Sequence, residues 1–286
     1  MYGILRYLPK NHLSYILGKL ARIPLPYPIS LASVSIFAKL NRINLDEIEK
    51  PLASYRSIGD FFVRDLKPGA RALEDGLLSP IDGTLRSLGK ISDGMLPQIK
   101  DKEYSVRSLL QGQYSERYEQ GYFFNLYLSP RDYHHVHSPV SGEIVSSLYI
   151  PGNLWPVNGW ALNNISNLFA VNERLVTFIR SPDYGLVAVV MVGATNVGRM
   201  SVTYDDWLTN QFQFCSSKRP HSPEFRDYNQ GKAISAGEKL GTFNMGSSVV
   251  LLFDHNIETT GNISGIARPG QAVQFGRTLH VSTRQL

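Results

Sequence analysis

Four short apolar runs constrain the fold most: residues 122–128, 175–179, 186–192 and 249–253 are rich in β-branched or aromatic residues and bounded by Gly, Pro, Asn or Asp. Runs of this length and composition predict buried strands. No strand–helix alternation of the kind that builds a parallel doubly wound sheet accompanies them. The expected class is therefore α+β, with a β-rich, largely antiparallel core. Beyond residue 45 the helical signal is confined to a short charged segment at 46–50 and a turn of helix at 58–66. A chain of 286 residues, 43% hydrophobic and 19% charged, has the apolar content to bury such a core and lacks the composition of a disordered one.

One internal echo suggests that the core is made of two related β units. Ser79-Pro80-Ile81-Asp82-Gly83-Thr84-Leu85 is matched by Ser138-Pro139-Val140-Ser141-Gly142-Glu143-Ile144, and each reads as a turn that delivers a strand. The turn needs only a small polar residue before its Gly, and the second copy is content with Ser141. Asp82 is thereby a candidate for work beyond the turn. From 205 to 237 the sequence is polar and irregular, which predicts a functional or mobile loop.

Ahead of this body lies a basic arm. Residues 1–45 hold Arg6, Lys10, Lys19, Arg22, Lys39 and Arg42 and no Asp or Glu, which accounts for a net charge of +5 on a body that is otherwise close to neutral. Such an arm suits an anionic surface, either nucleic acid or the phospholipid face of a membrane. After Pro9, Asn11 can cap a helix in which Leu13, Ile16, Leu17 and Leu20 form an apolar stripe beside Lys19 and Arg22. A second apolar stretch, 23–38, is uncharged but interrupted by Pro24, Pro26 and Pro28, and is too short to span a bilayer. Both are expected to lie in the membrane interface, a peripheral arrangement; packing on the body is the plainer alternative. Nucleic-acid binding is not expected, because the positive charge sits with an apolar stripe and not on an aromatic-studded surface. No secretory signal is evident, and the lack of an obvious transit segment favours the cytoplasmic face of a bacterial cell membrane. Cys215 is the single cysteine, so no internal disulfide forms. Its neighbours Phe214 and Ser216 supply no activating base.

Two stretches can carry chemistry. In Asp132-Tyr133-His134-His135-Val136-His137 three of the chain's seven histidines fall within four positions. Ser129-Pro130-Arg131-Asp132 ahead of them has the form of a helix start. If the turn persists, His134 and His137 share a face as acid and base; in a strand His135 pairs with His137 instead, as two imidazoles for a metal. The second stretch is Met245-Gly246-Ser247-Ser248 before the last apolar run. Gly-Ser there can be a simple turn, yet glycine also permits the strained backbone that exposes its carbonyl to the next hydroxyl.

Taken in order, several blocks resemble the phosphatidylserine decarboxylases of the bacterial and mitochondrial type. They are Phe61-Phe62-Val63-Arg64 with Leu66-Lys67-Pro68-Gly69-Ala70-Arg71, Pro80-Ile81-Asp82-Gly83, Ser129-Pro130-Arg131-Asp132-Tyr133-His134-His135-Val136-His137, Leu168-Phe169-Ala170-Val171-Asn172-Glu173-Arg174, Val192-Gly193-Ala194 and Met245-Gly246-Ser247-Ser248. The family's last motif is usually Leu-Gly-Ser-Thr; Met245 and Ser248 keep the residue class, and the Gly-Ser pair is intact. The resemblance implies a self-processing triad of Asp82, His137 and Ser247 that breaks the chain between Gly246 and Ser247. Asp82 would orient one nitrogen of His137, and the other would take the Ser247 proton. Attack on the Gly246 carbonyl gives an ester; elimination and hydrolysis then convert Ser247 into a covalent pyruvoyl cofactor. The resemblance further implies decarboxylation of phosphatidylserine to phosphatidylethanolamine in phospholipid biosynthesis, with that group as electron sink and His134 returning the proton. His135 is expected outside the site, and no metal is implied. The expected organisation is a membrane-associating arm at 1–45 and a catalytic domain at 46–286, cut into 1–246 and a small chain, 247–286, that stays associated.

Three rivals use the same residues. A serine hydrolase would employ Asp82, His137 and Ser247 without cutting itself. A metalloenzyme would use His135 and His137 with Asp82. A non-catalytic lipid-binding protein would need only the arm. Oligomeric state, a homodimer included, is not fixed by the sequence.

Overall fold

In the computed structural model, residues 10–99, 102–195, 199–209, 222–244, 248–254 and 268–279 are described. In chain order the helices are α1 (Lys10–Ala21), α2 (Ile29–Leu40), α3 (Ile58–Phe62), α4 (Val106–Leu110), α5 (Gly159–Asn164) and α6 (Leu168–Val171). The strands are β1 (Gly83–Lys90), β2 (Met95–Ile99), β3 (Lys102–Ser105), β4 (Tyr122–Tyr127), β5 (His135–His137), β6 (Gly142–Ile150), β7 (Arg174–Ser181), β8 (Gly185–Val192), β9 (Met200–Val202), β10 (Glu224–Ile234), β11 (Lys239–Phe243), β12 (Ser248–Phe253) and β13 (Ala272–Val273).

The four apolar runs become β4, β7, β8 and β12, and they sit side by side in the middle of an eight-stranded sheet of order β10-β6-β7-β8-β12-β4-β1-β13. Every strand pairing in it is antiparallel. Residues from Val249 to Phe253 are wholly buried, which explains a strand written without polar alternation. A second sheet, β5-β11-β9, carries the histidines, and β2 pairs with β3 in a hairpin.

The echo is structural. Ser79 Oγ donates to Ile81 O at 2.8 Å, and Ser138 Oγ donates to Val140 O at 2.6 Å. The two turns bond each other reciprocally, His137 N to Pro80 O at 2.8 Å and Leu78 N to Pro139 O at 3.0 Å. Ser79 exchanges backbone bonds with Gly276 and Arg277 as Ser138 does with Gly237 and Glu238. β1 and β6 both bulge two residues in, between Leu85 and Ser87 and between Ile144 and Ser146. A Cβ on Gly83 or Gly142 would lie 2.2 Å from the carbonyl oxygen of Tyr127 or Arg180, so each turn requires glycine. The large sheet therefore reads the same from both ends: β13 corresponds to β10, β1 to β6, β4 to β7 and β12 to β8.

Three local expectations change. The charged segment at 46–50 is not helical. Ile48 is buried and bridges Leu66, because its apolar side chain joins a small core and its neighbours pair with residues 65 and 67. Part of the polar stretch 205–237 is β10, an edge strand whose largely solvent-facing side chains conceal its period; residues 210–221, with Cys215, lie outside the described residues. Asn11 lies within α1, which is helical from Lys10, the first described residue, onward.

The arm is joined to the body through α2. Val34 and Ala38 pack with Ile43, Ile48, Tyr55 and Phe61, and the Phe37 ring lies 6.3 Å from Phe61 and 6.2 Å from Phe62. Ile16, Leu20, Ile23, Tyr27, Ile29, Ile36 and Leu40 remain exposed. Among the described residues no helix is long and apolar enough to cross a membrane.

Candidate active site

The turn before the histidines forms as its sequence suggests and then stops. Ser129 N and Oγ both donate to Asp132 Oδ2 at 2.7 Å, and Asp132 N donates to Ser129 O at 3.0 Å. The chain then enters β5, where pairing with β11 replaces further helical bonds. Buried Arg64 clamps the turn, its Nη2 donating to Arg131 O at 2.7 Å and Asp132 O at 3.1 Å.

Strand geometry divides the histidines between two faces. His135 and His137 flank the Tyr133 ring, with centroids 4.9 and 5.7 Å away. His134 points the other way and its ring rests 3.9 Å from that of Phe62. The sequence left turn and strand pairings open; the strand places His135, not His134, on the face of His137.

Each ring has a defined tautomer, because a carbonyl can only accept. His134 Nδ1–H donates to Asp132 O at 2.7 Å. Its Nε2 therefore holds a bare lone pair, buried and without a partner among the described residues. Burial and then the Arg64 charge depress its pKa to about 3, so the ring is neutral. His135 Nε2–H donates to Val63 O at 3.1 Å, and its Nδ1 accepts from Thr242 Oγ1 at 2.7 Å. With both nitrogens engaged, His135 offers no lone pair to a metal, which weighs against the metalloenzyme reading. Burial and nearby Lys239 bring its pKa to about 4, against the pull of Asp65.

His137 Nδ1–H donates to Gly237 O at 2.7 Å, and its Nε2 accepts from the Tyr133 hydroxyl at 3.2 Å. The ring stacks on Phe275, centroids 3.7 Å apart and 15° from parallel. Burial takes its pKa to about 4, while the Gly237 bond and the charge of Asp82 act in the opposite direction. The tautomer is thus set by Gly237, where the sequence suggested Asp82. Asp82 is instead clamped by Arg71, Nη2 to Oδ2 at 2.5 Å and Nε to Oδ1 at 3.1 Å, and accepts from Phe275 N at 2.9 Å. Arg71 is shared with Glu47 at 2.9 Å. Phe275 links the two expected triad members, its backbone bonded to one and its ring stacked on the other.

Met245, Gly246 and Ser247 lie outside the described residues; the residues on either side of them are described. On one side Phe243 N donates to His134 O at 2.9 Å and Asn244 N to Arg199 O at 2.9 Å. On the other, Ser248 opens β12, paired with Tyr127 of β4 and Val192 of β8. Asn244 thus follows the histidine sheet, and Ser248 opens a central strand of the large sheet. Sequence reasoning missed the roles of Gly237, Phe275, Arg71 and Arg64. The repeated Gly-x-x-Leu at 237–240 and 276–279 could have pointed to the first.

The family model described as phosphatidylserine decarboxylase matches residues 58–281. The chain is similar to the phosphatidylserine decarboxylase proenzyme of Brevibacillus brevis, 40% identical over 261 residues and 89% of each chain. The proenzyme of Anaeromyxobacter sp. (strain K) is 38% identical over 279 residues, 96% of this chain and 95% of the relative. That of Legionella pneumophila strain Philadelphia 1 is 36% identical over 281 residues, with the same two shares. On this match over most of its length, the chain belongs to the phosphatidylserine decarboxylase family.

Proposed function

We propose that the chain is a proenzyme that cuts itself between Gly246 and Ser247 and then decarboxylates phosphatidylserine to phosphatidylethanolamine. One observation carries the reading: Phe243, four residues before Ser247, bonds the carbonyl of His134, Ser248 just after it opens a buried central strand, and a second neutral histidine, His137, lies on the same short strand as His135.

His137 Nε2 is the base. Its lone pair is free of a proton at neutral pH, and Tyr133 yields its hydrogen bond when the Ser247 hydroxyl arrives. The serine oxygen bonds to the Gly246 carbonyl carbon as the Gly246–Ser247 C–N bond breaks, and the proton that His137 took passes to the nitrogen. The negative charge of Asp82 stabilises the imidazolium formed in between. Loss of the Ser247 α-proton with departure of the Gly246 carboxylate, followed by hydrolysis, leaves a pyruvoyl group and ammonia.

That group supplies the ketone and electron sink for decarboxylation. The donor set suits it: His134 Nε2 is a buried lone pair without a partner among the described residues, on a residue whose carbonyl accepts from Phe243 N near the end of β11. His134 accepts a proton at Nε2 and returns it to the substrate carbon after carbon dioxide leaves. The arm docks on an anionic lipid surface, its exposed Ile16, Leu20, Ile29, Ile36 and Leu40 meeting acyl chains beside Lys19, Arg22 and Lys39.

Intact-mass analysis tests the reading. Purified protein is expected as two chains divided after residue 246, the smaller without a free amino terminus. Ser247→Ala and His137→Ala should each give one uncut chain. A single unmodified chain with phosphatidylserine turnover refutes the proposal.

A further inference from the structure

Two guanidinium groups near the start of β12 lack close carboxylate partners among the described residues. Arg86 on β1 lies with its Cζ 4.1 Å over the Tyr127 ring and makes no ion pair there. The sole ion pair of Arg131 there is a loose one, 3.6 Å to Asp132 Oδ1, while the other Asp132 oxygen is held by Ser129. Both arginines line one open cavity of about 500 Å³, together with Leu40, Asn41, Thr84 and Tyr127. In a neighbouring cavity that also touches Arg131, Arg71 is already matched by Glu47 and Asp82. In the larger cavity Arg86 and Arg131 face the same space with no close carboxylate partner among the described residues.

Its position fixes what that charge can meet. Thr84 pairs with Tyr127, and Tyr127 pairs with Ser248, so the cavity wall and the first residue of β12 lie in one row across the sheet. Neighbouring strands are about 4.8 Å apart, so the Tyr127 backbone lies beside Ser248, the residue that follows the proposed cut. The same cavity is lined by Leu40, 77% exposed, at the carboxy-terminal end of α2. A ligand here has its reacting end at the start of β12, an anionic group between the arginines, and an apolar continuation toward lipid.

We propose that Arg86 and Arg131 bind the phosphodiester of the substrate phospholipid. The proposal rests on the decarboxylase reading above and adds the group that makes the enzyme select a phospholipid over a bare serine derivative. In phosphatidylserine the phosphate is only a few bonds from the amine that must reach residue 247, so one molecule can satisfy both. Arginine suits the task because its planar fork bonds two phosphate oxygens at once.

The experiment uses the cleaved full-length protein and two substrates in detergent micelles: phosphatidylserine, and O-hexadecylserine, which has the same amino acid and an alkyl chain but no phosphate. Arg86→Gln and Arg131→Gln should self-cleave as the parent does. Each should raise KM for phosphatidylserine about tenfold, the worth of one charge-assisted hydrogen bond, with kcat within about twofold and O-hexadecylserine turnover unchanged. Arg131 is 60% exposed at its side chain, so its replacement tests the proposal even if Arg86→Gln folds poorly, and Arg86→Lys should recover part of the loss. An unchanged KM and an unchanged preference between the two lipids overturn the proposal. So does a defect seen only as weaker binding to phosphatidylglycerol vesicles, which would assign the cavity to a second lipid. If the cleaved parent does not turn over phosphatidylserine at all, the decarboxylase reading itself has failed.

Discussion

His134 and His137 are neutral for the same reason, burial, but they differ at the second ring nitrogen. That of His137 already has a hydroxyl to accept from, whereas that of His134 has no described partner. The difference separates their tasks. His134→Gln should self-cleave at close to the parent rate and lose about a hundredfold or more in kcat, the usual worth of a positioned proton donor; intact mass and carbon dioxide release read the two. For His137, a pKa near 4 leaves the base unprotonated at ordinary pH. Self-cleavage should be flat from about pH 8 to 5.5 and fall only as the pH approaches 4, and a fall centred at the ordinary histidine value of about 6.5 would contradict the depression. The histidines, Asp82 and the Gly-Ser pair were legible because their spacing along the chain is itself the signal. Gly237 and Phe275 were not, since they meet His137 from far along the chain and only through the fold.

Among the elements, β12 bears most on function, because the proposed cut falls just ahead of it. It is hydrogen-bonded along its whole length to β4 on one side and β8 on the other. The 247–286 chain should therefore co-migrate with 1–246 in gel filtration and separate only in denaturant. Leu251→Ala should cost about 2–5 kcal/mol by urea titration of the uncut Ser247→Ala protein, as expected for a large-to-small change at a wholly buried position. The central strands were readable because burial on both faces writes them as continuous apolar runs. β10 was not readable, being an edge with most side chains in solvent, and β5 is too short to show a period.

For the whole molecule, three buried neutral histidines make folding sensitive to acid. Their folded pKa values, about 3 for His134 and about 4 for His135 and His137, lie below the ordinary 6.5. The unfolded chain therefore takes up protons that the folded one refuses. The contribution is complete above about pH 6.5 and is lost progressively as the pH falls toward 4, about 1.4 kcal/mol for each unit of depression. Urea midpoints of the Ser247→Ala protein should drop between pH 7 and 5; a level profile would show that the rings are not so deeply buried. The arm yields a different test. Since α2 shares a core with residues 43–61, removing 1–45 would disturb the body as well as the surface. Ile29→Ser, Ile36→Ser and Leu40→Ser together should weaken binding to anionic vesicles while leaving the melting temperature within a few degrees.

The mirrored strand order has a consequence for how such chemistry arises. β8 is entered through a closed hairpin, Ser181 paired with Gly185, whereas its counterpart β12 is entered from another sheet. At the positions matching His137 and Asp82 the opposite half carries Leu78 and Ser141. Asp82 thus comes from the half that begins at β1 and His137 from the half that begins at β6, so neither twin alone could assemble the pair.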